Sequence, residues 1–480
     1  MNRYRKANEG IHAPEELKQK VVQSAKPVRR PARWAALAAV LAVAILAGVV
    51  LWPGGSPLSQ TASAAIVEAE YPDRVPYPDV NPLTGAMDED AYAAWREENQ
   101  ARQELASGVD NESMAGYYAA TMAEFLGDNG GENAVYSPLN LYLALAMLAE
   151  CTDGDSRGQI LALLGVDDLD ALRTQAQNLW SANYRDDGQT TSLLANSVWL
   201  DEALTYNEDT LNTLADTYYA SSYQGEMGSE ELNRALQSWL NDNTGGLLEE
   251  YAGQIETEPD TLLALASAIY FKASWADEFD QSATAPRTFH AAAGDVETDF
   301  MRQTILEGSY YWGEGFSAVA KGFSSGGEMW LILPDEGTVP EDLLADSGLT
   351  DFLLAGKSWE DQGTAKIHLS LPRFDVSAQT DLIGGLQELG VTDVFDAGLA
   401  DFTPMLGEGA GGVSVTQATH AARVKIDEEG CEGAAYTVLT VDEAAPLEQD
   451  EIDFVLDRPF LFAVTSATGQ ILFVGIVNQV

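Results

Sequence analysis

The run Glu428-Glu429-Gly430-Cys431-Glu432-Gly433-Ala434-Ala435-Tyr436-Thr437-Val438-Leu439-Thr440-Val441, close to the C-terminus, constrains this chain more than any other stretch. A strand that enters the middle of a sheet presents alternate side chains to a packed interior, so those positions must be uncharged and, at the leading end, small. Cys431, Gly433, Ala435, Thr437 and Leu439 meet that requirement on one face. Glu432, Ala434, Tyr436, Val438 and Thr440 occupy the other, which a solvated surface tolerates, and no proline deletes a ladder hydrogen bond. The segment that follows, Asp442-Glu443-Ala444-Ala445-Pro446-Leu447-Glu448-Gln449-Asp450, is polar and acidic and reads as an exposed loop. A strand able to pair is therefore joined to a loop that stays outside.

This combination resembles the reactive-centre loop of the serpins, in which a Glu-Glu-Gly hinge and a small-residue run precede an exposed bond offered to a protease. Asp457-Arg458-Pro459-Phe460-Leu461-Phe462 and Phe473-Val474-Gly475 are similar to the closing strands of that family. The likeness recurs upstream in order. Met114 to Leu126 and Leu141 to Glu150 have the apolar spacing of helices, and Asn133-Ala134-Val135-Tyr136-Ser137-Pro138-Leu139-Asn140 between them resembles the family's strand and helix start beneath the main sheet. Ala195 to Leu200 alternates like a strand, Trp239 to Leu248 resembles a family helix with its terminating turn, and Leu263 to Trp275 reads as a long central strand. Met329 to Pro334, Ile367 to Phe374 and Asp381 to Phe395 continue the match. The resemblance covers 111–480 and implies an α+β serpin fold: mixed β-sheets with a large central sheet that accepts the reactive loop, plus surrounding helices.

Charge and hydropathy divide what lies before it. Residues 1–33 hold nine Lys or Arg against three acids, a balance of +6, so the rest of a chain of net charge −49 sums to −55. Such a body disfavours nucleic acid and anionic lipid, which both require clustered cations. Trp34 to Trp52 encloses an uncharged apolar run, long enough as a helix to cross a bilayer core of about 30 Å. Arg29, Arg30 and Arg33 precede it, which leaves the N-terminus cytoplasmic and the body outside. A cleaved signal peptide is the competing reading, supported by Ala62-Ser63-Ala64. The expected organisation is a basic cytoplasmic segment 1–33, a membrane helix or signal anchor 34–52, an acidic Pro-rich extracytoplasmic linker 53–110 and the serpin domain 111–480. Within the linker, Asp88 to Ala106 has helix-forming composition, and the proline-spaced run from Tyr71 to Pro82 reads as a semi-extended tether.

Catalytic chemistry finds little purchase. Gly322-Phe323-Ser324-Ser325-Gly326 fits a nucleophile-elbow pattern, but a strand signal follows it where a helix is needed, so a hairpin turn is the better reading. His12, His290, His368 and His420 lack metal-ligand spacing, and Gly407 to Gly412 lacks the Lys of a phosphate loop. No enzyme, metal or cofactor is expected. Cys151 and Cys431 are the only cysteines and are expected to be unlinked, because a bond at Cys431 would tether the hinge.

What the resemblance implies is a suicide inhibitor of serine, and sometimes cysteine, proteases, which acts as a monomer and ends in a covalent complex. The protease cuts the loop, and the freed upstream segment inserts as a new central strand. Glu429, Gly430, Cys431, Glu432, Gly433, Ala434 and Ala435 match the hinge, and none of their departures blocks insertion. Ser137, His420 and Trp275 match the region that parts to admit the loop. Asn140 stands where a serine is usual there, and Ser267 where an asparagine is usual. Counting from Gly430 sets the reactive bond at Ala444-Ala445, which suits elastase-like or subtilisin-like pockets, while Leu447 and Glu443 are the alternatives. Between Lys425 and Arg458 there is no Lys or Arg, so trypsin-like targets are disfavoured. A non-inhibitory serpin-fold binding or structural protein at the cell surface is the other reading.

Overall fold

The computed structural model describes residues 65–78, 87–246, 253, 255–259, 261–324, 326–345, 347–408, 412–431 and 450–480. The apolar run 34–52, the hinge positions Glu432, Gly433, Ala434 and Ala435, and the bond Ala444-Ala445 lie outside the described residues, as do Leu447 and Glu443. Among the described residues no helix is long and apolar enough to cross a membrane.

Helix starts follow their caps. Asp88 accepts backbone N–H bonds at the head of α1 (Glu89–Ser107), Asp110 at α2 (Asn111–Gly127) and Ser137 at α3 (Pro138–Cys151), whose first residue is the proline that N1 favours. From Pro138 to Cys151 only Ala144 is not fully buried, which matches an apolar helix enclosed on every side. α4 (Gly154–Leu164) and α5 (Leu169–Asn183) follow, then β2 (Arg185–Asp186), β3 (Thr190–Asp201), α6 (Glu208–Tyr218) and β4 (Ala220–Gly225). α7 runs Glu230–Asn243, capped by Ser229, and closes at Gly245 and Gly246 with φ of 60° and 78°. The helix expected over Trp239 to Leu248 is thus the tail of an earlier one, because the Ser229 cap fixes its start. Its buried residues Leu232, Leu236, Trp239 and Leu240 lie at helical spacing and cover Trp199, Tyr223 and Ala268 on the outer face of the sheet below.

The remaining strands are β5 (Leu263–Ser274), β6 (Ala285–Ala291), β7 (Gly294–Gly313), β8 (Phe316–Gly322), β9 (Glu328–Pro334), β10 (Gln362–Pro372), β11 (Phe374–Asp381), β12 (Thr419–Ile426), β13 (Gly430–Cys431), β14 (Glu451–Val455), β15 (Phe460–Thr465) and β16 (Ile471–Val477), with β1 at Ala134–Tyr136. Among the described residues they form two mixed sheets. One of nine strands runs β1-β16-β15-β9-β8-β7-β10-β14 with β6 on β7; one of seven runs β11-β12-β13-β5-β3-β2 with β4 on β3. α3 lies between them, against β5 and β16. Gly322 to Gly326 is the β8–β9 hairpin connection, as the strand signal after it predicts.

Packing begins before Asn111. Ser222 of β4 exchanges backbone hydrogen bonds of 2.8 Å with Ile66 and Val67, and Tyr71 sits among Trp180, Tyr184 and Tyr219 with its hydroxyl on Tyr219 O at 3.2 Å. Trp95 of α1 donates to Asp187 at 2.8 Å, and Gln103 to Ala467 O at 2.9 Å. Of the run Tyr71 to Pro82 expected to be a tether, Tyr71 to Pro78 falls within the described residues and, with 65–70 before it, forms a packed strap, because Tyr71 and Tyr77 each find a slot on an existing surface. Few apolar residues are needed where the partner face is already built.

Candidate functional site

Asp427 turns the chain out of β12. Its carboxylate accepts from the N–H of Glu429 at 2.9 Å and Gly430 at 3.2 Å, an Asx-type turn that reverses direction in a few residues. Glu428 then points inward. Arg373 grips its carboxylate with bonds of 2.9 and 3.1 Å from Nε, and Thr284 Oγ1 donates at 2.6 Å. Burial alone would raise the Glu428 carboxyl, but these hydrogen bonds outweigh it and hold it below the usual range. Trp275 fixes the same turn through backbone: its N–H meets Glu429 O at 3.0 Å and its indole N–H meets Asp427 O at 2.9 Å.

The turn delivers Gly430 and Cys431 into the seven-stranded sheet. Gly430 pairs with Ser274 and Cys431 with Ala273 on β5, while Cys431 also pairs with Ile426 on β12. Both pairings are antiparallel, so β5 and β12 run parallel to each other on either side of the entering strand. Gly430 is required by proximity: a Cβ there would lie 2.2 Å from Ala273 O. Cys431 is 3% exposed and lies beside Ile426 in the hydrophobic core. No disulfide joins it to Cys151, and burial pushes the Cys151 thiol up.

Beyond Cys431, β5 and β12 are not paired with each other among the described residues. A cavity of about 160 Å³ opens between them, walled by residues 263–268 and 415–421 and floored by Asn140 and Leu141 of α3. Polar groups gather at this floor. His420 Nε2 accepts from Ser137 N–H at 3.0 Å, and Ser137 Oγ caps α3 through Asn140 N–H at 3.2 Å. Asn140 Nδ2 donates to Ser267 O at 3.0 Å, and Ser267 Oγ–H lies between the amide oxygens of Asn140 and Asn196, the latter at 2.7 Å. The two departures at Asn140 and Ser267 are therefore reciprocal: amide and hydroxyl have exchanged places across one contact. Burial depresses His420 to about 4, so its ring is neutral and able to accept.

The structure brings together Ser137 and His420 below the gap and Trp275, Glu429, Gly430 and Cys431 at its mouth. Several participants escape a sequence reading. Asn196 completes the floor cluster from β3. Lys321 of β8, buried and donating to Asp277 O and Gln303 Oε1 at 2.6 Å each, lies 5.1 Å from the Trp275 ring and 4.2 Å from that of Phe279; burial lowers its ammonium to about 8. Phe323 stacks on Trp275 at 5.0 Å. A lone lysine inside the apolar strand Phe316–Gly322 was the one visible signal.

Residues 117–480 match the model of the family described as serpin (serine protease inhibitor). Serpin-ZX of Arabidopsis thaliana is 30% identical over 362 residues, covering 72% of this chain and 91% of its own length. The crystal structure of the thermophilic serpin tengpin in its native state superposes with a TM-score of 0.69 at 21% identity, covering 87% of this chain and all of that one. Thyroxine-binding globulin in complex with thyroxine superposes at 0.66 and 22% identity, covering 76% and 98%.

Proposed function

The chain belongs to the serpin family, a family of protease inhibitors rather than enzymes, and from that premise we propose that it traps serine proteases by a suicide-substrate mechanism. The protease's serine attacks the Ala444 carbonyl, the amine of Ala445 leaves, and an acyl-enzyme forms. The freed segment then inserts between β5 and β12 before water resolves the ester.

The observation that carries this reading is the pairing of Gly430 and Cys431 with both flanking strands at the mouth of the gap. Continuing that register sets Gly433 between Val424 and Phe271, Ala435 between Ala422 and Ile269, and Thr437 between His420 and Ser267. Each inward position so reached is small or uncharged, and each neighbour faces the core. Continuing to the end of β5 takes the inserted run to Val441, roughly 34 Å of new strand for the ten residues after Cys431 at about 3.4 Å per residue. Thr437 would arrive beside the polar floor, where a hydroxyl has partners.

Elastase-like and subtilisin-like proteases are the proposed targets, since small Ala444 fits their pockets and no cation lies near it. Leu447 and Glu443 are the alternative sites. The apolar run 34–52 after Arg29, Arg30 and Arg33 supports a membrane tether with the inhibitory body outside the cell; cleavage after Ala64 would secrete the same body. A non-inhibitory binding role is the second reading, favoured by the thyroxine-binding globulin that shares the fold.

The test is to mix the full chain in detergent with a pancreatic-type elastase. A complex stable in denaturing gels, with a released peptide beginning at Ala445, is the expected result. Clean cleavage without a complex would overturn the inhibitory reading for that protease class.

A further inference from the structure

Two aromatic residues hold the turn that leads into β13. Trp275 gives its backbone N–H to Glu429 O at 3.0 Å and its indole N–H to Asp427 O at 2.9 Å, and Phe279 gives its backbone N–H to Glu428 O at 3.0 Å. The carbonyls of three consecutive residues, 427–429, are therefore all tied to the short segment 275–279. Both rings are buried, and they meet edge to face with centres 6.2 Å apart. How firmly these rings stay in place decides how firmly the turn is held.

Lys321 is the group that the two rings share. Its ammonium lies over both, 4.2 Å from the centre of Phe279 and 5.1 Å from that of Trp275, within reach of a cation–π attraction. The residue belongs to β8, pairs with Met329 of β9 and is 4% exposed. So enclosed a charge is costly unless its donors are satisfied. Two oxygens accept from it at 2.6 Å each, Asp277 O and Gln303 Oε1. Burial lowers its pKa to about 8 against a smaller opposing pull from Asp277, so the ammonium is mostly protonated at neutral pH. Methionine would fill nearly the same space with no charge to desolvate. What the ammonium alone supplies is a simultaneous hold on both rings and on the carbonyl of Asp277, which lies between them in sequence.

We propose that Lys321 is a positioning residue for the hinge: it fixes the segment 275–279 at the Trp275 ring, the Asp277 carbonyl and the Phe279 ring, and so keeps Gly430 and Cys431 entered between β5 and β12. It acts through Trp275 and Phe279. Two separate holds then converge on one residue of the turn, since Arg373 grips the side chain of Glu428 while Lys321, by way of Phe279, secures its backbone. The consequence for trapping rests on the suicide-substrate reading. An entry that frays delays insertion, and the acyl-enzyme has longer to hydrolyse.

Amide hydrogen exchange of the full chain in detergent tests the link without a protease. Lys321→Met is expected to speed exchange in 275–279 and in 427–431 roughly tenfold, on the scale of a desolvated cation–π contact, with a Tm no lower than that of the wild type. Phe279→Leu, which keeps the backbone N–H to Glu428 O and removes one ring, is expected to speed 427–431 as well. With elastase, Lys321→Met is expected to move the ratio of trapped complex to cleaved chain several-fold toward cleavage. Unchanged exchange in 427–431 overturns the proposal. So does faster exchange throughout the chain with a lowered Tm, which would make Lys321 a residue of the general core. Should Lys321→Met fail to fold, Phe279→Leu decides through the same peptide. If the wild type itself forms no trapped complex, the suicide-substrate reading fails, and the exchange result still decides the role of Lys321.

Discussion

His420 sets the acid limit of the native state. Its Nε2 accepts from Ser137 N–H, which only an unprotonated ring can do, and burial lowers its pKa to about 4. A free imidazole titrates near 6.5, so between these values the unfolded chain binds a proton that the native chain does not, and stability rises with pH. That stabilisation is present in full above pH of about 6.5 and is lost as the pH falls toward 4, amounting to about 3 kcal/mol. Glu428 adds to the same trend at lower pH, because its depressed carboxyl contributes stability above the ordinary carboxylate range and loses it below. Urea midpoints are predicted to fall steadily from pH 7 to 4, and His420→Gln, whose amide oxygen still accepts from Ser137, is predicted to flatten the slope above pH 4.5. An equal slope in that variant would assign the acid sensitivity to other groups. At this scale the sequence was only half readable. Ser137 and His420 could be placed by resemblance, whereas the exchange of amide and hydroxyl between Asn140 and Ser267 looked like two separate losses until the contact between them was seen. Pairing across 127 residues leaves no local trace.

The hinge and its gap form one element, and glycine is its narrowest point. Adding a methyl group at Gly430 sets a carbon 2.2 Å from Ala273 O and 2.9 Å from Ser274 Cα, both backbone atoms that cannot move aside without breaking the β5 pairing. Gly430→Ala is predicted to expel the first residues of the hinge, at a cost of about 1–3 kcal/mol, and to slow insertion. The measurement is the ratio of trapped complex to cleaved inhibitor at fixed protease, which is predicted to shift strongly toward cleavage. An unchanged ratio would mean that the entry at Gly430 plays no part in trapping. Element boundaries along the core strands followed alternation and cap chemistry, so β5, β9 and α2 were legible within a few residues. The strap 65–78 was not, because periodicity reports how a segment buries its own apolar face, and this one fills slots on α5 and β4 with isolated tyrosines.

For the whole molecule the account rests on a sheet left unfinished. β5 is paired with β3 and β12 with β11, but the edges that β5 and β12 turn toward each other are unpaired beyond Cys431 among the described residues, and a cavity of about 160 Å³ lies between them. The proposed insertion would close it with a strand, adding a ladder on both sides and burying the small inward face of the hinge, and so predicts a cleaved molecule well below the intact one in free energy. The sequence announced this through one stretch, since a run of small inward residues beside an acidic loop has no purpose in a strand that is already paired. It could not announce how far the hinge enters, which depends on the Asp427 turn and on the Arg373 grip on Glu428. The most direct test is thermal unfolding of the full chain before and after a single cut in the loop between Val441 and Asp450. Taking about 1 kcal/mol for each of some ten new hydrogen bonds, and about 2 °C for each kcal/mol, insertion predicts a rise in Tm of about 20 °C. A cut chain that unfolds at the temperature of the intact one would contradict the account, because a sheet that gains nothing from its missing strand cannot drive the trapping of a protease.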